Sequence, residues 1–337
     1  MKTILSSVVI FLLMLSCTFS GKKDDIQVVQ ISPVDSLSAF IGLPLFAEFH
    51  DNKLFVMDIY GEKGFIKVID VKQDSVLFSF ASKGQGPNEY LVVNNINIDI
   101  DNRNATTIGV YDPAASVYRI YSYDSLLTHK ENTLPLSSTR LPKGTRSPEL
   151  KGLDSSFISI DLNGNGRFIL FDDSLKNKRY AGNYRPKPTE SIPDILHAMA
   201  HNGRTVVSPD KKTIASVIYL AEVFSVFHVD NNEIIPGWDY IIKEMDYSVE
   251  KNDLIVNKTP MGYLSAAFDD ENIYGLFCGK EENKESIATY ADEIHVFSPD
   301  GKLIKKLHLG TSAFGITIDR EGRMLYVIVH EPEPKIL

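Results

Sequence analysis

Six times along the chain a short polar turn carrying an aspartate gives way to a run of β-branched and aromatic residues. The turn aspartates are Asp51, Asp101, Asp154, Asp210, Asp269 and Asp319, spaced by 50, 53, 56, 59 and 50 residues. Asp, Asn, Gly and Ser suit such turns because short side chains bond nearby backbone N–H groups and tolerate left-handed angles. A second series closes a later strand at Asp70, Asp124, Asp172, Asp230 and Asp300, and each is followed by another short strand such as "SVLFSF" or "KLIKKLHL". The unit reads strand, aspartate turn, strand, loop, strand, aspartate turn, strand. Repeated six times, it predicts an all-β chain: a six-bladed β-propeller of four-stranded antiparallel blades, whose edges are short and protected.

The sixth unit is incomplete, because only 18 residues follow Asp319, enough for a strand at "RMLYVIV" and a third at "PKIL". The alternating run "DIQVVQIS", residues 25–32, has no other partner. The N-terminal strand is therefore expected to supply the missing outer strand and close the ring.

Ahead of that strand, "MKTILSSVVIFLLMLSC" has a lysine, an apolar run from Ile4 to Leu15 broken only by Ser6 and Ser7, and a small residue before Cys17. This is a signal-peptide pattern, and the run is shorter than the ~20 apolar residues a membrane-spanning helix needs. Leu15-Ser16-Cys17 resembles the lipobox of bacterial lipoproteins, which makes Cys17 the expected lipid-attachment site. "SGKKDD" just beyond is similar to the lysine-plus-acidic tag of surface-exposed lipoproteins, and it also reads as a solvated linker. The expected organisation is a signal peptide at 1–16, a lipidated linker at 17–24 and one propeller domain at 25–337.

Composition adds two exclusions. A formal charge of −9 sets nucleic acid aside as a partner, because phosphate-backbone binding needs a basic surface. Two cysteines, Cys17 and Cys278, make neither a disulfide framework nor a structural zinc site. Cys278, inside the apolar "IYGLFCGK", reads as a small buried hydrophobe.

"SKGQGPNEY", residues 82–90, has the glycine density of a phosphate loop. It is followed by the strand-like "YLVVNNINI" and not by a helix N-terminus, so it reads as the crossover between blades 1 and 2, with Gly84, Gly86 and Pro87 forming a structural interblade turn. Here the chain resembles a family. Lysine followed by Gly-Gln-Gly-Pro-x-Glu-Tyr, the turn "SPDKKTIASV" and the final stretches "ADEIHVFSPDGKLIKKLHL" and "ITIDREGRMLYVIV" are similar to the TolB-like six-bladed propeller lipoproteins of Bacteroidetes. Lys211 and Asn88 stand where that family more often has glycine. The resemblance implies the fold and an outer-membrane lipoprotein at the cell surface or periplasmic face, and it implies no catalytic residue.

Other constellations bring chemically capable side chains together. "DLNGNGRFILFD" matches the start of a calcium loop at Asp161, Asn163, Asn165 and Gly166, but strands flank it and position twelve is Asp172 where a bidentate glutamate belongs, so it reads as a hairpin turn. The histidines are scattered without metal-ligand spacing; His50 and His201 fall near inner strands. Asp99 and Asp101 share one side of a strand, as an acid–base pair would. Trp238 and Tyr240 suit blade padding or a sugar platform, and residues 185–200 predict a loop and a short helix before blade 4. The reading is a cell-envelope lipoprotein with a binding or scaffold role, taking a small molecule, a glycan or an envelope protein at the channel face. It touches the membrane through its lipid anchor only and has no assigned metal, cofactor or catalytic residue. The alternatives are an envelope enzyme acting on a carbohydrate or lactone through channel-facing acidic or histidine residues, and a structural subunit of an outer-membrane assembly.

Overall fold

The computed structural model describes residues 26–39, 41–100, 105–256, 259–280 and 290–337. Antiparallel four-stranded sheets succeed one another along them. Blade 1 is Pro44–His50, Lys53–Asp58, Ile66–Asp70 and Ser75–Phe80, and blade 2 is Asn95–Ile100, Thr106–Asp112, Val117–Ser122 and Ser137–Arg140. Blade 3 is Lys151–Gly152, Ser156–Ile160, Phe168–Asp172 and Lys178–Ala181, and blade 4 is Gly203–Val207, Thr213–Ile218, Glu222–Asp230 and Glu233–Lys243. Blade 5 is Tyr263–Phe268, Ile273–Phe277, Ala291–Phe297 and the first half of the long strand Leu303–Asp319. The second half of that strand becomes the inner strand of blade 6, followed by Met324–Val329 and Lys335–Ile336.

The two-residue period of these strands explains how sheets become a ring. In the second strand of blade 1, Phe55 and Met57 pack with Ile96, Ile108 and Val110 of blade 2, while Leu54 and Val56 pack with Ile328 and Ile336 of blade 6. Blade 3 repeats the logic, with Ile169 and Phe171 facing Tyr111 and Tyr118 of blade 2 and Phe168 and Leu170 facing Ile214 and Phe227 of blade 4. Further clusters join blade 4 to blade 5 and blade 5 to blade 6. Each fully buried side chain contributes roughly 1.5–3 kcal/mol, so the hydrophobic stabilisation resides between blades. The inner strands neighbour one another in cyclic order from blade 1 to blade 6 and back to blade 1.

Several hairpins turn on paired left-handed residues, Asp51-Asn52 and Asn231-Asn232 among them, which matches the twist of the flanking strands. Buried Asp58 ends the second strand of blade 1 and accepts backbone N–H bonds from Gly42 and Leu43 at 2.8 Å and Tyr60 at 3.1 Å, with Lys67 Nζ 2.7 Å away. Asp112 and Asp161 hold the corresponding loops of blades 2 and 3.

Three details differ from expectation. The N-terminal strand Gln27–Gln30 joins the ring, but it pairs in parallel with Lys305–His308, the outer strand of blade 5, whose edge is otherwise open. The outer position of blade 6 is instead reached by Leu37, whose N–H donates to Ile336 C=O at 2.9 Å. Asp124 does not close a tight turn: it lies in helix α1, Tyr123–His129, capped by Ser122 Oγ accepting from Ser125 N–H at 3.2 Å, so blade 2 reaches its outer strand through a helical excursion. Between blades 4 and 5 a separate hairpin, Tyr247–Glu250 with Asp253–Val256, lies outside the repeat. The 185–200 segment does carry a short helix, α2, Asp194–Ala200.

Candidate functional site

Each inner strand pairs on one side only, so its other edge turns toward the axis and lines a central channel of about 230 Å³. Blade 2 and blade 3 meet there through an asparagine ladder. Asn95 Nδ2 donates to Leu150 C=O and Asn95 Oδ1 accepts Leu150 N–H, both at 2.7 Å, and Asn97 Nδ2 donates to the same carbonyl at 2.7 Å. The ladder anchors an inner strand that is only two residues long.

Charged side chains cross this channel. Lys151 of blade 3 lies 3.3 Å from Glu48 of blade 1, and Lys211 of blade 4 lies 2.7 Å from Asp99 of blade 2. Gly152 leaves room for the second pair, because a Cβ there would sit 3.1 Å from the Asp99 carboxylate. Two groups remain. Arg204 of blade 4 donates through Nε to Tyr219 Oη at 3.1 Å and lies over the Phe46 ring of blade 1 at 5.2 Å, and no carboxylate lies within ion-pair distance of it among the described residues. Glu149 is buried beside Thr205, whose hydroxyl and N–H lie close enough to its carboxyl to draw its pKa down, although neither Glu149 Oε1 nor Thr205 Oγ1 completes a well-formed hydrogen bond in the protein. Burial pushes the Glu149 carboxyl up, against the opposing pull of Lys151. The channel mouth therefore offers a guanidinium fork beside an acid and a hydroxyl with unused hydrogen-bonding capacity. Such a set suits a ligand carrying both an anionic group and a hydroxyl.

The TolB-like 6-blade propeller-like family matches residues 19–321. The chain belongs to that family. A member of the DUF4221 family from Bacteroides vulgatus superposes on this TolB-like propeller with a TM-score of 0.54 at 12% identity, covering 89% of this chain and 91% of that one. The hydrazine synthase of Kuenenia stuttgartiensis is also similar, with a TM-score of 0.49 at 10% identity over 88% of this chain and 96% of that one. At these identities the likeness concerns the fold alone. No curated protein matches the chain in sequence.

In the TolB-like ring, Gly84, Gly86 and Pro87 occupy the crossover between the outer strand of blade 1 and the inner strand of blade 2. Gly86 N–H donates to Glu89 Oε2 at 2.7 Å, Gly84 N–H to Tyr90 C=O at 3.0 Å, and Arg119 Nη2 to Pro87 C=O at 3.0 Å. Buried Tyr90 lies under the Arg119 guanidinium and bonds Tyr121 through the two hydroxyls at 3.0 Å. The loop's polar groups are thus turned on one another.

Asp99 reaches the channel but is bound by Lys211; Asp101 and Cys17 lie outside the described residues. His50 lines the channel with its ring edge-on to Tyr123, and burial lowers its pKa. His201 does not face the channel: it is buried behind α2, against Tyr184 and His197, with Nδ1 2.8 Å from His197 C=O. Asp161 accepts from Asn163 and Asn165 N–H at 3.0 and 2.7 Å, whereas Asp172 bonds the 174–177 turn at the far end of its strand, so the two carboxylates do not converge. Trp238 stacks on Phe224 and donates to Pro299 C=O at 2.9 Å, which makes it blade padding. Cys278 is buried, and burial pushes its thiol up. Arg204 and Glu149 escaped the sequence reading; the available signal was an ionisable residue beginning an otherwise apolar inner strand, as in "GRTVV".

Proposed function

We propose that the protein is a cell-envelope lipoprotein whose propeller binds a small polar ligand bearing a carboxylate or comparable anionic group at the channel mouth. The observation that carries the binding role is the Arg204 fork, which has no carboxylate within ion-pair distance among the described residues, beside the incompletely bonded Glu149 Oε1 at the start of the neighbouring blade. The envelope placement rests on the apolar leader and Leu15-Ser16-Cys17. No helix among the described residues is long and apolar enough to cross a membrane. An acid–base enzyme is less well supported, since Asp99 is held by Lys211 and the His50 ring packs edge-on to Tyr123.

Two measurements test this. Thermal shifts with uronic acids, hydroxy-dicarboxylates and the matching neutral sugars should show stabilisation by acidic compounds only, because a ligand that binds the folded state raises its stability by mass action. Equal shifts with neutral sugars, or none with any acid, contradict the ligand class. Incorporation of labelled palmitate should be lost in Cys17→Ser, and persistence of the label would overturn the anchor.

A further inference from the structure

The crossover from blade 2 to blade 3 runs from an outer strand to the channel mouth, and basic residues line that path. Residues 137–151 read "SSTRLPKGTRSPELK", with Arg140, Lys143 and Arg146 at every third position and Glu149 as the one carboxylate. Glu149, the next step in that spacing, is the buried acid of the channel site. The three cations are exposed, and none has an ion-pair partner among the described residues. Other bonds fasten the segment: Leu141 N–H donates to Ser116 C=O at 2.9 Å, Asn163 Nδ2 to Gly144 C=O at 3.3 Å, Leu162 N–H to Arg146 C=O at 3.4 Å, and the Asn94 amide to Pro148 C=O. The charged side chains are therefore not needed to hold the path in place.

A fourth cation and an aromatic ring flank the track. Lys178 of blade 3 donates through Nζ to Thr145 Oγ1 at 3.3 Å and lies 5.7 Å from the centre of the Tyr180 ring, again without a carboxylate partner among the described residues. Lys178 and Tyr180, two apart on one strand, share a face of it. Tyr180 is 38% exposed and stands against Gly166, where a Cβ would lie 3.1 Å from its own. Successive cations of the crossover are at most ~10 Å apart along the chain, close to one screening length at physiological salt, so their fields reinforce one another.

We propose that the track binds an acidic polysaccharide chain running from the rim between blades 2 and 3 to the channel mouth. Placing the end of that chain at Arg204 rests on the ligand class proposed above, whereas the track stands on its own residues. Charge and shape together select the occupant. Four cations without carboxylate partners attract a polyanion. The protein as a whole carries a formal charge of −9, so a broad anionic surface such as a duplex or a bilayer meets net repulsion outside the strip, and a single thin chain does not. The Tyr180 ring offers an apolar face to the C–H face of a sugar, with its hydroxyl and Lys178 at the wet edge. An acidic peptide supplies the charges without that apolar face.

Calorimetric titration of the full chain with galacturonate, tetragalacturonate, the methyl ester of that tetramer and tetraglutamate tests this. Tetragalacturonate should bind at least tenfold more tightly than galacturonate, with affinity falling as salt is raised, and its methyl ester should lose that advantage. In the double variant Lys143→Glu, Arg146→Glu, altered at exposed positions and shown to be folded by circular dichroism, the tetramer should lose its advantage over the monomer. Tyr180→Ala should weaken the tetramer at least threefold. Tetramer binding that needs Lys143 and Arg146 while galacturonate fails to bind would sustain the track and refute the channel-mouth reading. Galacturonate binding that is lost in Arg204→Met, with no advantage for the tetramer, would sustain the channel mouth and overturn the track. Absence of tetramer binding, an advantage that survives the double variant, or equal binding of tetraglutamate would each overturn the proposal.

Discussion

The Arg204 guanidinium lies 5.2 Å from the centre of the Phe46 ring, although the two residues stand on blades 4 and 1, opposite one another across the ring. Lys151–Glu48 and Lys211–Asp99 likewise each skip a blade. The channel is therefore tied across its width by side chains, and the interblade clusters are supplemented by contacts through the axis.

The buried aspartate of blade 1 is expected to be a point of weakness. Asp58→Ala removes the acceptor of three backbone N–H bonds and one end of a buried ion pair, and it should cost about 3 kcal/mol or more. Urea denaturation measures this; a loss below about 1 kcal/mol would show that the loop re-forms without the carboxylate.

Acid should weaken the fold before carboxylates titrate fully. His295 is buried, accepts from Tyr263 Oη at Nδ1 (2.7 Å) and donates from Nε2 to Glu293 Oε1 (2.6 Å), an oxygen it shares with Lys306 Nζ (2.8 Å), while His308 Nε2 lies 3.3 Å from Oε2. Burial pushes its pKa down to about 4, and that of His201 to about 3. Below pH 6.5 the unfolded chain takes up protons that the folded chain refuses, so this contribution is complete above 6.5 and declines as pH falls toward the folded values. Each histidine adds a slope of up to about 1.4 kcal/mol per pH unit. Denaturation midpoints between pH 4.5 and 7 should rise with pH, and His295→Gln should flatten the curve; an unchanged curve would contradict the assignment.

Gly84 should not tolerate a side chain. A Cβ there would lie 2.0 Å from Glu89 Oε2, the oxygen that accepts Gly86 N–H. Gly84→Ala should destabilise the protein by about 1–3 kcal/mol through displacement of Glu89 and backbone strain. An unchanged melting temperature would show that the crossover relaxes freely.

Chelators should leave stability unchanged. Asp161 is bonded by Asn163 and Asn165 N–H and Asp172 by its own turn, so melting temperatures in calcium and in EDTA should agree within about 1 °C. A calcium-dependent rise of several degrees would require the 161–172 segment to rearrange.

The blades were legible because each depends on local pattern: Asp51, Asp210, Asp269 and Asp319 all sit in turns whose N–H groups or neighbouring side chains they engage. The pairing of Gln27–Gln30 with Lys305–His308 was not legible, since two open strand edges compete for one alternating segment and only three-dimensional proximity decides. The Asp58, Asp112 and Asp161 series was missed because blades 4 to 6 end their second strands at Ile218, Phe277 and Val329, which breaks the repeat. The channel site was hidden for a related reason. Arg204, Glu149 and Phe46 come from three blades, and no local spacing records their convergence.

Arg204 is the direct test of the binding role. Calorimetric titration of the acid giving the largest thermal shift, into the wild type and Arg204→Met, should show 1:1 binding in the first and a loss of at least tenfold in the second, with circular dichroism unchanged. Equal affinity in both proteins would place the ligand away from the channel mouth and contradict the proposed function.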